Sequence, residues 1–333
     1  MHLGNGAITP ECGLFALGAA ATGTVVALAV ARSKPLDRNT TYTAAALGAA
    51  VIAAQMFNVQ IVPFSSVHLI GGVLLAWTLG PPLGLLMMAA ILGLEAALLG
   101  DGGLLALGVN VINMGLVPAL FVAAARRLTS RGRSLRAGIV LAATAMLATI
   151  AAAGLVTIEV AIGRNAGQLE GWRPFAGQML ASHALFGVAE AAATVAIVGL
   201  LGGLRRPAGA PLKLPRAWSG GIAGTAIMIA ILSAPQFGLA SGAPDGYETA
   251  VARAHEAGSP LGNLESASQA GKLNAKVQAW QDRLVAQMPT SEPLRGAIGT
   301  LVAGAIAFGL ASFAVGSGWC RGQSRGSSGS LSA

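Results

Sequence analysis

The chain opens Met1-His2. A free α-amine on Met1, the backbone nitrogen joining the two residues and the His2 imidazole can all turn toward one metal ion. They form adjacent chelate rings and fill three corners of a square, a tetragonal nitrogen set that suits Ni(II) and Cu(II) and extends to Co(II). One more imidazole would close the square. The choice is narrow, because the chain has four histidines: His2, His68, His183 and His255. His68 lies in Pro63-Phe-Ser-Ser-Val-His-Leu-Ile-Gly-Gly72, at the end of an apolar segment that the charge pattern places on the side of Met1. Alone it would read as a core histidine bonded to backbone. Beside the Met1-His2 chelate it is the natural fourth ligand.

Other polar residues sit inside apolar runs. His183 and Glu190 are seven residues apart, on one helix face. Buried ionisable groups in lipid line a path or pair within the bundle, so this pair supports the metal pocket, forms a route for the ion, or joins helices. Glu95 and Glu159 are single carboxylates with no assigned role. Gly100-Asp-Gly-Gly-Leu-Leu-Ala-Leu-Gly-Val-Asn110-Val-Ile-Asn113-Met114-Gly opens with glycines that permit a tight turn. Asn110 and Asn113 share a helix face. Their amides need partners, and either orient a histidine ligand or tie helices together. Met114 reads as packing. Cys12 and Cys320 lie near opposite ends of the chain and make no C-x-x-C motif. Walker lysine, G-x-S-x-G and H-E-x-x-H motifs are missing, so the chain reads as no enzyme. Any energy-requiring step would draw on another polypeptide or an ion gradient.

These residues must be positioned by membrane helices. Of 333 residues 54% are apolar and only 10% charged, against about 25% charged in a soluble domain. Mean hydropathy is +0.67. Apolar runs fall at 13–31, 42–61, 67–79, 83–99, 103–125, 137–162, 180–203, 218–235 and 296–316. The pattern predicts an all-α polytopic transmembrane bundle of about nine segments. The third and fourth, parted by Gly80-Pro81-Pro82, read as two short helices or one re-entrant pair. Basic groups follow the first, fifth, seventh and last segments: Arg32, Lys34 and Arg38; Arg126, Arg127, Arg131, Arg133 and Arg136; Arg205, Arg206, Lys213 and Arg216; Arg321 and Arg325. All belong on the cytoplasmic side, which sets the amino terminus outside and the carboxy terminus inside. The net charge of +8 therefore reflects membrane orientation, not nucleic-acid binding. No basic stretch precedes the first apolar run, so no cleavable signal is expected, and a bulky second residue favours retention of Met1.

Residues 234–293 are polar. Within them Leu273, Val277, Trp280, Leu284 and Val285 fall at helical spacing over 264–288, either an amphipathic helix or a disordered loop. The serine- and glycine-rich tail 321–333 reads as disordered.

Met1-His-Leu-Gly-Asn-Gly6, Ser66-Val-His-Leu-Ile-Gly-Gly72, the Gly100–Gly115 stretch and His183-Ala-Leu-Phe-Gly-Val-Ala-Glu190 resemble the CbiM/NikM family, the cobalt/nickel substrate-specific components of energy-coupling factor (ECF) transporters. The likeness covers residues 1–208 as a metal-binding membrane domain. Ser241-Gly-Ala-Pro-Asp-Gly-Tyr-Glu248 resembles the Pro-Asp-Gly-Leu-Glu signature of the two-span auxiliary component CbiN/NikN, over residues 216–320. The resemblance implies a natural fusion in the plasma (inner) membrane. It implies Co(2+) or Ni(2+) as transported substrate with no organic cofactor, and metal held by Met1, His2 and His68. It further implies a transmembrane coupling protein and two cytoplasmic ATPases as partners, with the auxiliary part promoting metal loading. Two residues depart from the family pattern: Asn5, where an acidic residue is frequent, and Tyr247, in place of leucine. Two other readings compete: a solitary ion-coupled permease with Glu95, Glu159, His183 and Glu190 as a relay, and a structural subunit that binds no metal.

Overall fold

The structure is a computed structural model. It describes residues 1–33, 37–63, 65–129, 134–163, 172–206, 208–256 and 269–323, with side chains through 313 in the last helix. It is a helical bundle with one short antiparallel hairpin, β1 (Val59–Val62) with β2 (Ser65–Val67). The helices are α1 (Pro10–Arg32), α2 (Arg38–Met56), α3 (Gly72–Leu79), α4 (Pro81–Leu94), α5 (Leu107–Val111), α6 (Val117–Thr129), α7 (Ser134–Ile162), α8 (Trp172–Leu200), α9 (Arg216–Leu232), α10 (Gly246–Glu256), α11 (Gln269–Val285) and α12 (Glu292–Gln323). Among the described residues six helical stretches are long and apolar enough to cross a membrane, with α9 shorter. The chain is a multi-pass membrane protein.

Two helices widen locally into single π-turns, Glu95–Leu99 after α4 and Ile112–Leu116 between α5 and α6. Turns of that kind recur at functional sites, and both flank the loop 100–106. The Gly80-Pro81-Pro82 break falls where expected, but its two sides differ. Pro81 and Pro82 start a helix, where their missing N–H groups are not needed, so Pro81–Leu99 is a full-length stretch. The segment at 67–79 is only eight residues of helix, because residues 65–67 are strand and Gly71 turns through φ +79°. Helix also begins at Leu107, four residues later than the apolar run.

Small residues set the packing distances. α7 lies along α8, and α2 contacts α9 and α12, so the late helices pack directly onto the early bundle. Gly108 on α5 meets the backbone of Ala16 and Leu17 on α1. A methyl group there would collide with backbone that cannot yield. Gly108→Ala is expected to destabilise the protein by about 3 kcal/mol, the upper range for overpacking, read as a lowered melting temperature in detergent. An unchanged melt would show that α1 can move away.

The two ends of the bundle differ chemically. At one, Arg126 donates to the carbonyls of Ala208 (2.8 Å) and Gly209 (2.7 Å). There too Lys213 pairs with Asp37 at 2.5 Å, and Arg32 lies 4.3 Å over the Phe313 ring. The opposite end gathers residues 1–9, the hairpin, loop 100–106, Gly163, α10 and α11.

The polar stretch 234–293 is helical in α10 and α11. α11 docks differently from its apolar spacing: Trp280 and Leu273 are exposed, and Gln281 is buried. Hydrogen bonds of Gln278 and Gln281 contribute to its contact, as shown below. Residues 257–268, 324–333 and the side chain of Cys320 lie outside the described residues.

Candidate metal centre

The amino terminus is threaded into the bundle and held by its backbone. Leu3 N–H donates to Asn110 Oδ1 at 3.0 Å, and Leu3 O accepts from Asn110 Nδ2 at 3.1 Å and from Gly103 N–H at 2.9 Å. Asn110 therefore clamps the backbone of Leu3; it does not orient a histidine. Gly103 is needed because a Cβ there would strike Asn5, and Gly102 turns through φ +82°. Asn5 Nδ2 donates to Gln278 (2.8 Å) and Gln281 (2.7 Å), while its Oδ1 accepts from Leu105 N–H at 3.0 Å. Gln281 closes the set by donating to Gly102 O at 2.7 Å. An acidic side chain at position 5 would have no N–H to give the two glutamine oxygens that Asn5 now serves.

So held, Met1 and His2 point into the bundle, where His2 is 8% exposed. The Met1 amine pairs with Asp245 Oδ2. Asp245 sits at the head of α10, where its N–H donates to Glu248 Oε2 (2.9 Å) and Glu248 N–H donates to Asp245 Oδ1 (2.8 Å). This reciprocal capping box gives both acids of Pro-Asp-Gly-Tyr-Glu, Asp245 and Glu248, a local role at the head of α10. Burial alone would raise the Asp245 pKa, but the Met1 ammonium outweighs it and holds the carboxyl well below the usual range. Tyr247 packs edge-on against Phe175, ring centroids 6.0 Å apart.

Both nitrogens of His2 face carboxylates: Nδ1 lies 3.2 Å from Asp101 Oδ1, and Nε2 lies 3.3 Å from Glu95 Oε2. Burial opposes the imidazolium, but the Asp101 and Glu95 charges prevail and push the His2 pKa up to about 10. Asp101 responds in kind: partial desolvation at the rim would raise its pKa, yet His2 holds it down to about 2.

His68 stacks beside His2, with ring centroids 5.4 Å apart and planes 8° from parallel. Its loop is anchored at both ends. Ser66 N–H donates to Pro244 O (2.8 Å), and its hydroxyl donates to Ala243 O (2.7 Å). Glu190 accepts from Ile70 N–H (2.8 Å) and Gly71 N–H (2.9 Å), a carboxylate at the positive end of α3. Burial, the Met1 amine and His2 together lower the His68 pKa to about 4. A neutral imidazole keeps a lone pair for a metal. Nδ1 lies 3.2 Å from Leu69 O, so if Nδ1 carries the proton, Nε2 is the free donor.

Met1 and His68 thus line one small buried cavity, and His2 stacks on His68 beside it. His183 borders the same cavity: its Nδ1 contacts Met179 O at 2.8 Å, and it lines that space of about 20 Å³ with Met1, His68, Glu190, Asp245 and Gly246. That volume holds about one water-sized particle. His183 and Glu190 are not bonded to one another; each serves a separate backbone partner. Asn113 lies elsewhere, donating to Glu159 Oε2 at 2.7 Å. Three acids at the centre escaped the sequence reading: Glu95, which was left without a role, Asp101 and Asp245. Asp101 and Asp245 each stood beside a glycine in a quoted motif, a local signal of a turn but not of a partner.

The chain is similar to several known proteins. A protein of Haloquadratum walsbyi named for metal transport is 40% identical over 123 residues, 36% of this chain and 55% of its own. A fused nickel transport protein, NikMN, of Archaeoglobus fulgidus is 32% identical over 160 residues, 48% of this chain and 52% of its own. LarMN of Lactiplantibacillus plantarum, also named as a fused nickel transport protein, is 32% identical over 118 residues, 35% and 36%. The chain thus spans about half the length or less of these relatives. The crystal structure of a transition metal transporter matches with TM-score 0.51 at 28% identity, covering 61% of this chain and 92% of that one. A truncated transition metal transporter matches with TM-score 0.51 at 29% identity, over 62% of this chain and all of that one. Residues 2–208 match the family described as the cobalt uptake substrate-specific transmembrane region, CbiM, and the chain belongs to that family.

Proposed function

We propose that this protein is the substrate-capture subunit of an ATP-driven ECF importer for cobalt or nickel, binding the ion through the Met1 amine, the His2 backbone nitrogen and imidazole, and His68. The single observation that carries the reading is the burial of the chain-terminal amine beside His68, with His2 stacked on that imidazole. Family membership supports the transport role. A coupling membrane protein and two ATPases would supply the energy. The basic end of the bundle would face the cytoplasm and the metal centre the outside, in the plasma membrane. Residues 216–320 would act as the auxiliary part, since their loop carries Asp245 to the amine. The permease alternative has less support: among the described residues Glu95, Glu159, His183 and Glu190 each serve a different partner and form no continuous relay.

The test is equilibrium titration of the purified chain with Ni(II) and Co(II). One ion per chain is expected, with binding lost in His2→Ala and weakened in His68→Ala. A chain that binds neither ion would sink the proposal.

Binding should also depend on protons. The His2 pairing stabilises the metal-free fold; that contribution is complete below the ordinary 6.5 and is lost as pH rises through about 10. Metal must displace the His2 proton, so affinity should rise by about tenfold or more per pH unit between pH 6 and 9. Titrations at several pH values check the slope, and a flat profile would exclude His2 as a ligand.

A further inference from the structure

We propose that Glu95 is the positioning residue of this centre: its carboxylate claims Nε2 of His2 and thereby turns Nδ1 of the same ring toward the ion. The inference rests on the metal-capture reading above and deepens it.

Chelate geometry comes first. The ring joining the amine to the His2 backbone nitrogen has five members. The next ring runs through Cα, Cβ and Cγ of His2 and closes on Nδ1 with six. Nε2, on the far side of the imidazole, cannot reach an ion already held by its own backbone nitrogen. Nδ1 is therefore the ligand atom, and Nε2 must keep its proton. That proton needs an acceptor in a place without solvent. Histidines that bind metal usually donate the other ring N–H to a carboxylate or carbonyl, which fixes the tautomer and the ring plane.

Glu95 is built for that task. It is 1% exposed, and its Oε2 lies 3.3 Å from His2 Nε2, within ion-pair range; neither atom has a hydrogen-bond partner among the described residues, so the two face each other without a competitor. A carboxylate so deep in the bundle is strongly unfavourable unless a donor meets it. Its backbone is fixed as well. Glu95 opens the π-turn, and its carbonyl accepts from Gly100 N–H and from Asp101 N–H at 3.1 Å. The same residue thus closes the turn that leads into loop 100–106 and presents an acceptor to His2.

Asp101 cannot share this role. It faces Nδ1, the atom the ion needs, and its side chain is half-exposed at the rim. Of the two carboxylates on one imidazole, Asp101 must give way when metal arrives and Glu95 stays.

The experiment compares Glu95→Leu and Glu95→Gln in the full chain, with Ni(II) as the probe. Three quantities are read: the dissociation constant, the d–d absorption of the bound ion at saturation, and the melting temperature without metal. Glu95→Leu should weaken Ni(II) binding by about 10–100-fold, the range for loss of an orienting partner, and should alter the d–d band. Glu95→Gln retains an acceptor oxygen and should recover affinity to within a few-fold, with the unaltered band. Wild-type affinity and band in Glu95→Leu would overturn the inference. So would equal losses in both variants with unchanged melting, which would make Glu95 a ligand through its charge. His2→Ala, titrated alongside, separates the two levels. If it binds Ni(II) like the unaltered chain, the metal-capture reading fails; if it loses binding while Glu95→Leu is normal, only the role of Glu95 fails.

Discussion

A single alanine added ahead of Met1 is expected to lower Ni(II) affinity by more than about 100-fold, because loss of an orienting partner alone removes about 10–100-fold and this change removes a ligand with its chelate ring. Both histidines stay in the chain, but the Met1 nitrogen becomes an amide. Met1 is buried, 4% exposed, and the adjoining cavity of about 20 Å³ leaves no room for an extra residue. The amine would also be carried away from Asp245. Acetylation of Met1 makes the same point with a smaller change. Titration of both forms, beside melting of the metal-free protein, is the check. Unchanged affinity in either would show that the amine is no ligand and that the centre works through side chains alone.

Asp245→Asn is expected to have two opposite effects. Asparagine still caps α10, so the capping box survives, while the charge facing the Met1 ammonium is lost. The metal-free protein should lose about 1.5–3 kcal/mol, the contribution of a hydrogen bond to a charged group, and melt lower. In the metal-bound protein the amine belongs to the ion, so that state loses less. The apparent Ni(II) affinity should then rise by about tenfold, since each 1.4 kcal/mol is a factor of ten. Thermal melts with and without Ni(II), combined with titration, measure both effects. Lower melting with weaker binding would mean that Asp245 helps to hold the ion instead of yielding to it.

What could be read from sequence followed from local chemistry. The helical spans were visible because lipid demands long apolar runs, and the separation of basic residues from Met1 was visible because loop charge records orientation. His2 and His68 could be proposed as partners because the chain offers so few imidazoles. Asn110 was noticed, yet its partner was misjudged: an amide signals only that something must be bonded, and here it is the backbone of Leu3. Asn113 ties its helix to α7 through Glu159, one of the two roles its position offered. Glu95, Asp101 and Asp245 stayed hidden because their meaning lies in what they face. Asp245 is 244 residues from the amine it meets, a distance over which no periodicity or motif can speak. α11 was legible as a helix but not in its docking, because Gln278 and Gln281 amides bond to the amino-terminal segment and loop 100–106 while Leu273 and Trp280 stay exposed.

The route by which Asp245 reaches Met1 has a consequence for how the protein behaves on dilution. Its loop is tethered through α9 to the polypeptide whose amine it meets, so the encounter is intramolecular, with an effective concentration on the order of millimolar for a short tether. Low expression or detergent extraction cannot part the two. Were the same loop supplied by a separate polypeptide, occupancy of the amine would track that polypeptide's abundance; here every copy carries its own.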